Sequence, residues 1–139
     1  MDRKVVIIPT YNEKENIEAI VRKVFSLEGE YNVLIIDDGS PDGTAAIVKK
    51  VQTEFPERLF LIERSGKLGL GTAYLTGFKW ALENGYDYIF EMDADFSHNP
   101  EDLPRLYKAC AECGGVAIGS RYCDGISVVN WPIGRILMS

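Results

Sequence analysis

Apolar residues fall along the chain in two alternating rhythms. Val5-Val6-Ile7-Ile8 is an unbroken run that predicts a strand over 4–8, buried on both faces. Ile17, Ile20, Val21, Val24 and Phe25 then fall at the spacing of a helix with one apolar stripe. The alternation repeats. A strand is predicted over 32–36, then a helix with Ile47, Val48, Val51 and Phe55 on one face, then a strand over 58–62. A helix with Tyr74, Phe78, Ala81 and Leu82 inward follows, then a strand over 86–92, a helix burying Leu103, Leu106, Tyr107 and Cys110, and a strand over 115–119. Two helix starts carry their own punctuation: Ser40-Pro41 offers an N-cap and a first-turn proline, and Asn99-Pro100-Glu101-Asp102 adds acidic residues where the helix dipole favours them. Such alternation implies right-handed crossovers and an α/β fold of three layers, α/β/α, around a mostly parallel Rossmann-like sheet. Residues 122–139 show no strand–helix unit and end without a cap or stop signal. The expected division is a core over 1–121 and, over 122–139, the start of a further region that continues past Ser139.

Composition narrows the function classes. The chain has 139 residues, 46% hydrophobic and 26% charged, the balance of an ordinary globular domain. Fifteen basic residues against 21 acidic ones give a net charge of −6, which argues against generic binding to nucleic acid or anionic lipid. An acidic chain that binds phosphate needs a metal or locally placed Arg and Lys. The apolar runs are too short to span a bilayer, and Met1-Asp2-Arg3-Lys4 leads straight into a strand with no signal peptide, so the expected compartment is the cytosol or a cytosolic membrane face. The three cysteines, Cys110, Cys113 and Cys123, do not form a disulfide framework, and Cys110 and Cys113 read as small helix side chains.

In an open parallel sheet, ligands bind beyond the carboxyl ends of the strands, where strand order reverses. Polar residues gather at those ends: Pro9 to Glu13 after the first strand, Asp37 to Thr44 after the second, Asp93-Ala94-Asp95 after the fourth and Ser120-Arg121-Tyr122 after the fifth. Asp93 and Asp95 can both lean toward one divalent cation, and carboxylates suit Mg2+ or Mn2+. A surface turn with a helix cap is the alternative for a bare pair of this kind. Asp37-Asp38 is placed to accept from a ribose hydroxyl or a base edge, or else is a turn built on Asp-Gly-Ser-Pro. Tyr11 is placed to stack on a base or to pack at the strand exit. The loop Gly66-Lys67-Leu68-Gly69-Leu70-Gly71 fits neither a dinucleotide fingerprint nor a P-loop, and serves either close backbone approach to a ligand or simple connection. His98 is the only histidine, structural or beside the metal or acceptor. Arg121 and Arg135 are candidates to grip phosphate oxygens, with ordinary surface positions as the alternative.

Assembled in order, IIPTYNEKENI, DDGSPDGTA, GLGTAY, MDADFSHNPEDLP, IGSRY and NWPIGR make the chain resemble the family-2 glycosyltransferases of GT-A fold, and within them the dolichol-phosphate (polyprenol-monophosphate) mannosyltransferases. The resemblance implies a nucleotide-diphosphate sugar, GDP-mannose, as donor and a polyprenyl phosphate lipid as acceptor. It implies donor contacts from Pro9, Tyr11, Glu13, Ile36, Asp38, Asp93 and Ala94, a Mg2+ or Mn2+ ion on Asp93 and Asp95, and catalytic roles for Asp95, Arg121 and Arg135. Some relatives have a Gln ligand where this chain has Ser97, whose hydroxyl would reach the ion through water. It also implies further C-terminal helices that make peripheral membrane contact. Transfer of a hexose from UDP to the same kind of lipid phosphate, or nucleotide binding without catalysis, are the competing expectations.

Overall fold

A computed structural model of the chain describes residues 3–27, 30–64, 70–92, 103–104, 121–123 and 126–130, the last two stretches and residues 70–71 as backbone. Its elements in order are β1 (Lys4–Thr10), α1 (Ile17–Ser26), β2 (Tyr31–Asp37), α2 (Thr44–Gln52), β3 (Leu59–Glu63), α3 (Leu70–Glu83), β4 (Tyr88–Glu91), β5 (Arg121–Cys123) and β6 (Ile126–Asn130). The six-stranded sheet runs β3-β2-β1-β4-β6-β5. β1 to β4 are mutually parallel, and β6 is antiparallel to both β4 and β5.

The two-residue pleat divides the core. Val6 and Ile8 of β1 and Val33 and Ile35 of β2 pack with Ile17, Ile20, Val21 and Val24 of α1, Val48 and Val51 of α2, and Leu103. Val5, Ile7, Leu34 and Ile36 point the other way, against Ala73 and Ala81 of α3 and Tyr86. Helices on both faces explain why these strands read as continuous apolar runs rather than alternating ones.

Three expectations shift. α2 begins at Thr44 rather than at Ser40-Pro41, and its N-cap is Gly43 at φ 91°. Asp42 and Ser40 are drawn instead into the hydrogen bonds described below, which leaves a turn ahead of the helix. The fourth strand starts at Tyr88, because Gly85 turns at φ 76° and Asp87 accepts from the Arg3 N–H. Within 122–139, where no strand was expected, Ile126–Asn130 forms β6 and enters the same sheet between β4 and β5. The predicted strand over 115–119, the glycine loop up to Gly69, Cys110 and Cys113 lie outside the described residues.

Candidate active site at the carboxyl edge

The chain leaves β1 toward β2 and β3 on one side and returns to β4 on the other, so strand order reverses between β1 and β4. Pro9 lies at that point. The Met92 N–H donates to Ile7 O at 3.1 Å, and the Asp38 N–H donates to Thr10 O at 3.1 Å. Backbone groups of alternate residues face alternate neighbours. Ile7 and Pro9 therefore face β4, and Ile8 and Thr10 face β2. Proline has no N–H to continue the ladder. Among the described residues, pairing with β4 reaches Ile7–Glu91 and pairing with β2 reaches Thr10–Asp37.

The loop after β1 rests on the loop after β2. Asn12, in the left-handed region at φ 59°, donates its N–H to Ser40 Oγ at 2.9 Å. The Glu13 N–H donates to Thr44 Oγ1 at 3.0 Å, and the Lys14 N–H to Asp42 Oδ2 at 3.2 Å. Thr44 passes the load on, since its hydroxyl donates to Asp42 Oδ1 at 2.6 Å. Glu13 O in turn accepts from the N–H groups of Asn16 and Ile17, starting α1. Burial works to raise the Asp42 carboxyl; hydrogen bonds from the Thr44 hydroxyl and the Lys14 and Thr44 N–H groups outweigh it and hold the carboxyl below its ordinary range.

Asp37 and Asp38 point to opposite faces of the pleat and do different work. Asp37, 1% exposed, accepts from Thr10 Oγ1 at 2.8 Å, Ser40 Oγ at 2.6 Å and the Ser40 N–H at 3.0 Å. It is an internal hub that fixes the turn. Asp38, 6% exposed, receives a two-pronged bond from Arg64, Nε to Oδ1 at 2.6 Å and Nη2 to Oδ2 at 2.9 Å. Arg64 follows β3 directly and was not among the expected site residues. The register brings it in: Asp37 pairs with Glu63, which puts Asp38 and Arg64 level on the same face.

Of the expected donor residues, Pro9, Tyr11, Glu13 and Asp38 come together at this edge. Tyr11 is 37% exposed on the propped loop, and Ile36 is fully buried in the core beneath it. Arg121 is the first residue of β5. It pairs with Ser127, and Ser127 pairs with Glu91, so its backbone is level with the carboxyl end of β4. Two inter-strand steps separate it from β4, roughly 10 Å. Asp93, Ala94, Asp95, Ser97, His98 and Arg135 lie outside the described residues; Asp93 directly follows Met92 at the end of β4. Among the described residues no group of three His, Cys, Asp or Glu side chains could hold a metal ion, and no helix is long and apolar enough to cross a membrane.

A strand-order reversal at the carboxyl ends of parallel strands, with polar residues gathered there, is the frame on which open α/β sheets bind ligands. The chain belongs to glycosyl transferase family 2, which it matches over residues 5–137. It is 48% identical over 137 residues to a polyprenol monophosphomannose synthase of Mycolicibacterium smegmatis, covering 99% of this chain and 52% of that one. It is 44% identical over 137 residues to an undecaprenyl-phosphate mannosyltransferase of Micrococcus luteus, covering 99% and 56%. The chain thus spans about half the length of these curated relatives. Among solved structures, it resembles the mannosyltransferase PcManGT of Pyrobaculum calidifontis in complex with GDP-Man and Mn2+, with a TM-score of 0.66 and 27% identity over 78% of this chain and 32% of that one. The sheet and its helices are accordingly those of a GT-A glycosyltransferase.

Proposed function

We propose that this chain is the donor-binding part of an inverting, metal-dependent mannosyltransferase that moves mannose from GDP-mannose to a polyprenyl phosphate. The observation that carries the reading is the gathering of the Tyr11–Glu13 loop and Asp38 at the β1–β4 switch point of a family-2 chain. The names of the two mannosyltransferase relatives support the sugar and the lipid, and the GDP-Man and Mn2+ of the structural neighbour support the nucleotide and the ion.

Asp38 accepts from the ribose or base, Tyr11 lies along the base, and Pro9 keeps the strand end open for the diphosphate. Both carboxylates of Asp37-Asp38 are already engaged by Thr10, Ser40 and Arg64, so they are poor metal ligands. Asp93 and Asp95 are hard oxygen donors and would hold the Mg2+ or Mn2+ ion, with Ser97 as a water-mediated partner. The ion would supply charge neutralisation at the leaving diphosphate. Arg121 and Arg135 would hold the acceptor or departing phosphates. A phosphate monoester has its second pKa near ~6 and is largely a dianion at neutral pH. It therefore attacks the anomeric carbon without a general base, and one in-line displacement turns an α-linked donor into a β-linked product. A lipid acceptor places the whole protein peripherally at the cytosolic membrane face, with the contact supplied by residues beyond the described ones.

The test is transfer of mannose to a short-chain polyprenyl phosphate by the full-length protein. A β-linked product, lost with chelator and reduced at least ~100-fold by Asp95→Ala, is expected. An α-linked product, or undiminished transfer in chelator, contradicts the reading.

A further inference from the structure

A carboxylate beside a bound diphosphate carries an electrostatic cost. Asp38 and its partner are both nearly buried, with side chains 9% and 10% exposed, so water screens little of that charge. Arg64 meets the problem from a fixed position. Its N–H donates to Asp37 O at 2.7 Å, its Nε and Nη2 take the two Asp38 oxygens, and its Nη1 donates to Thr72 Oγ1 at 3.1 Å in the first turn of α3. The guanidinium plane is thus tied to the end of β2 and to the start of α3. Each carboxylate oxygen has two acceptor directions, and the fork uses one on each.

Resting on the nucleotide reading above, we propose that Arg64 is a positioning residue for the nucleoside subsite. It turns the remaining acceptor direction of each Asp38 oxygen toward ribose or base, and it cancels the Asp38 charge beside the donor diphosphate. A lysine could supply the charge but not the planar fork. Arg64 acts through Asp38 and does not itself touch the donor.

A double-mutant cycle separates acting through Asp38 from acting on the ligand. GDP and inorganic pyrophosphate are titrated with Mn2+ into the unmodified chain, Arg64→Ala, Arg64→Lys, Asp38→Ala and the Asp38→Ala/Arg64→Ala pair. Arg64→Ala should weaken GDP about 10- to 100-fold and pyrophosphate by a clearly smaller factor, the part due to the uncancelled Asp38 charge. In the Asp38→Ala background the second substitution should add no further loss. Arg64→Lys keeps the charge, guards against a folding failure of the alanine variant, and should fall between the two for GDP. Additive losses in the cycle, a matching loss of pyrophosphate, or full GDP affinity in Arg64→Lys would overturn the assignment. If the unmodified chain does not bind GDP, the nucleotide reading falls first and the positioning role with it.

Discussion

At the residue scale, the run from Asp37 to Thr44 works mostly as a cradle for its neighbour. Ser40, Asp42 and Thr44 each receive one N–H from the loop that carries Tyr11 and Glu13. Asp42 gives this cradle a pH dependence. Its folded carboxyl lies below the ordinary value of about 3.9, so the stability it contributes is fully present above that value and is lost as pH falls through the lowered one. Glu54 is also held low, by Arg22, and shares the acid limb, so the informative quantity is the difference between variants. Thermal midpoints followed from about pH 6 to about pH 2.5 should decline less steeply in Asp42→Asn than in the parent. Parallel curves would show that Asp42 carries no such linkage. The adjacency of Asp37 and Asp38 is visible in sequence, but their separate roles are not. Pleat parity sends them to opposite faces, and the partner that occupies Asp38 lies 26 residues downstream, where only strand pairing brings it level.

At the element scale, the strands and helices buried on the sheet were the most legible, because continuous apolar runs and helical stripes report burial directly. The helix start at Thr44 was not, since Ser40 and Pro41 carry ordinary cap chemistry and only the neighbouring loop diverts it. β6 was missed because ISVVN is short and stands apart from any strand–helix repeat, although its β-branched residues favour extension. The packing of α3 on β1 depends on a position with no side chain. A Cβ at Gly77 would lie 2.7 Å from Ile7 Cγ2 and 2.9 Å from Ile7 Cδ1, and Ile7 is fully buried. Gly77→Ala gains up to about 1 kcal/mol of helix propensity but incurs overpacking of about 1–3 kcal/mol. A net loss of about 1 kcal/mol is expected in urea unfolding, read as a lower midpoint at unchanged slope. A raised midpoint would show that α3 moves outward at no cost.

At the scale of the whole molecule, the proposed anionic donor has to be reconciled with a net charge of −6 by local placement. Arg64 offsets Asp38 and the backbone of Arg121 stands level with the end of β4, while Asp93 and Asp95 follow β4 in sequence as the proposed cation ligands. The fold class was legible because the connections from β1 to β4 repeat one strand–helix unit, whereas the way Pro9 faces β4 depends on which neighbour each backbone group faces. The proposed activity requires this edge to bind a guanosine diphosphate sugar together with a divalent cation. The direct measurement is calorimetric titration of GDP-mannose and UDP-glucose into the chain, each with Mn2+ and with chelator. GDP-mannose should bind in Mn2+ at least about tenfold more tightly than in chelator, and more tightly than UDP-glucose in Mn2+. Equal affinity with and without the ion, or a preference for UDP-glucose, would contradict it.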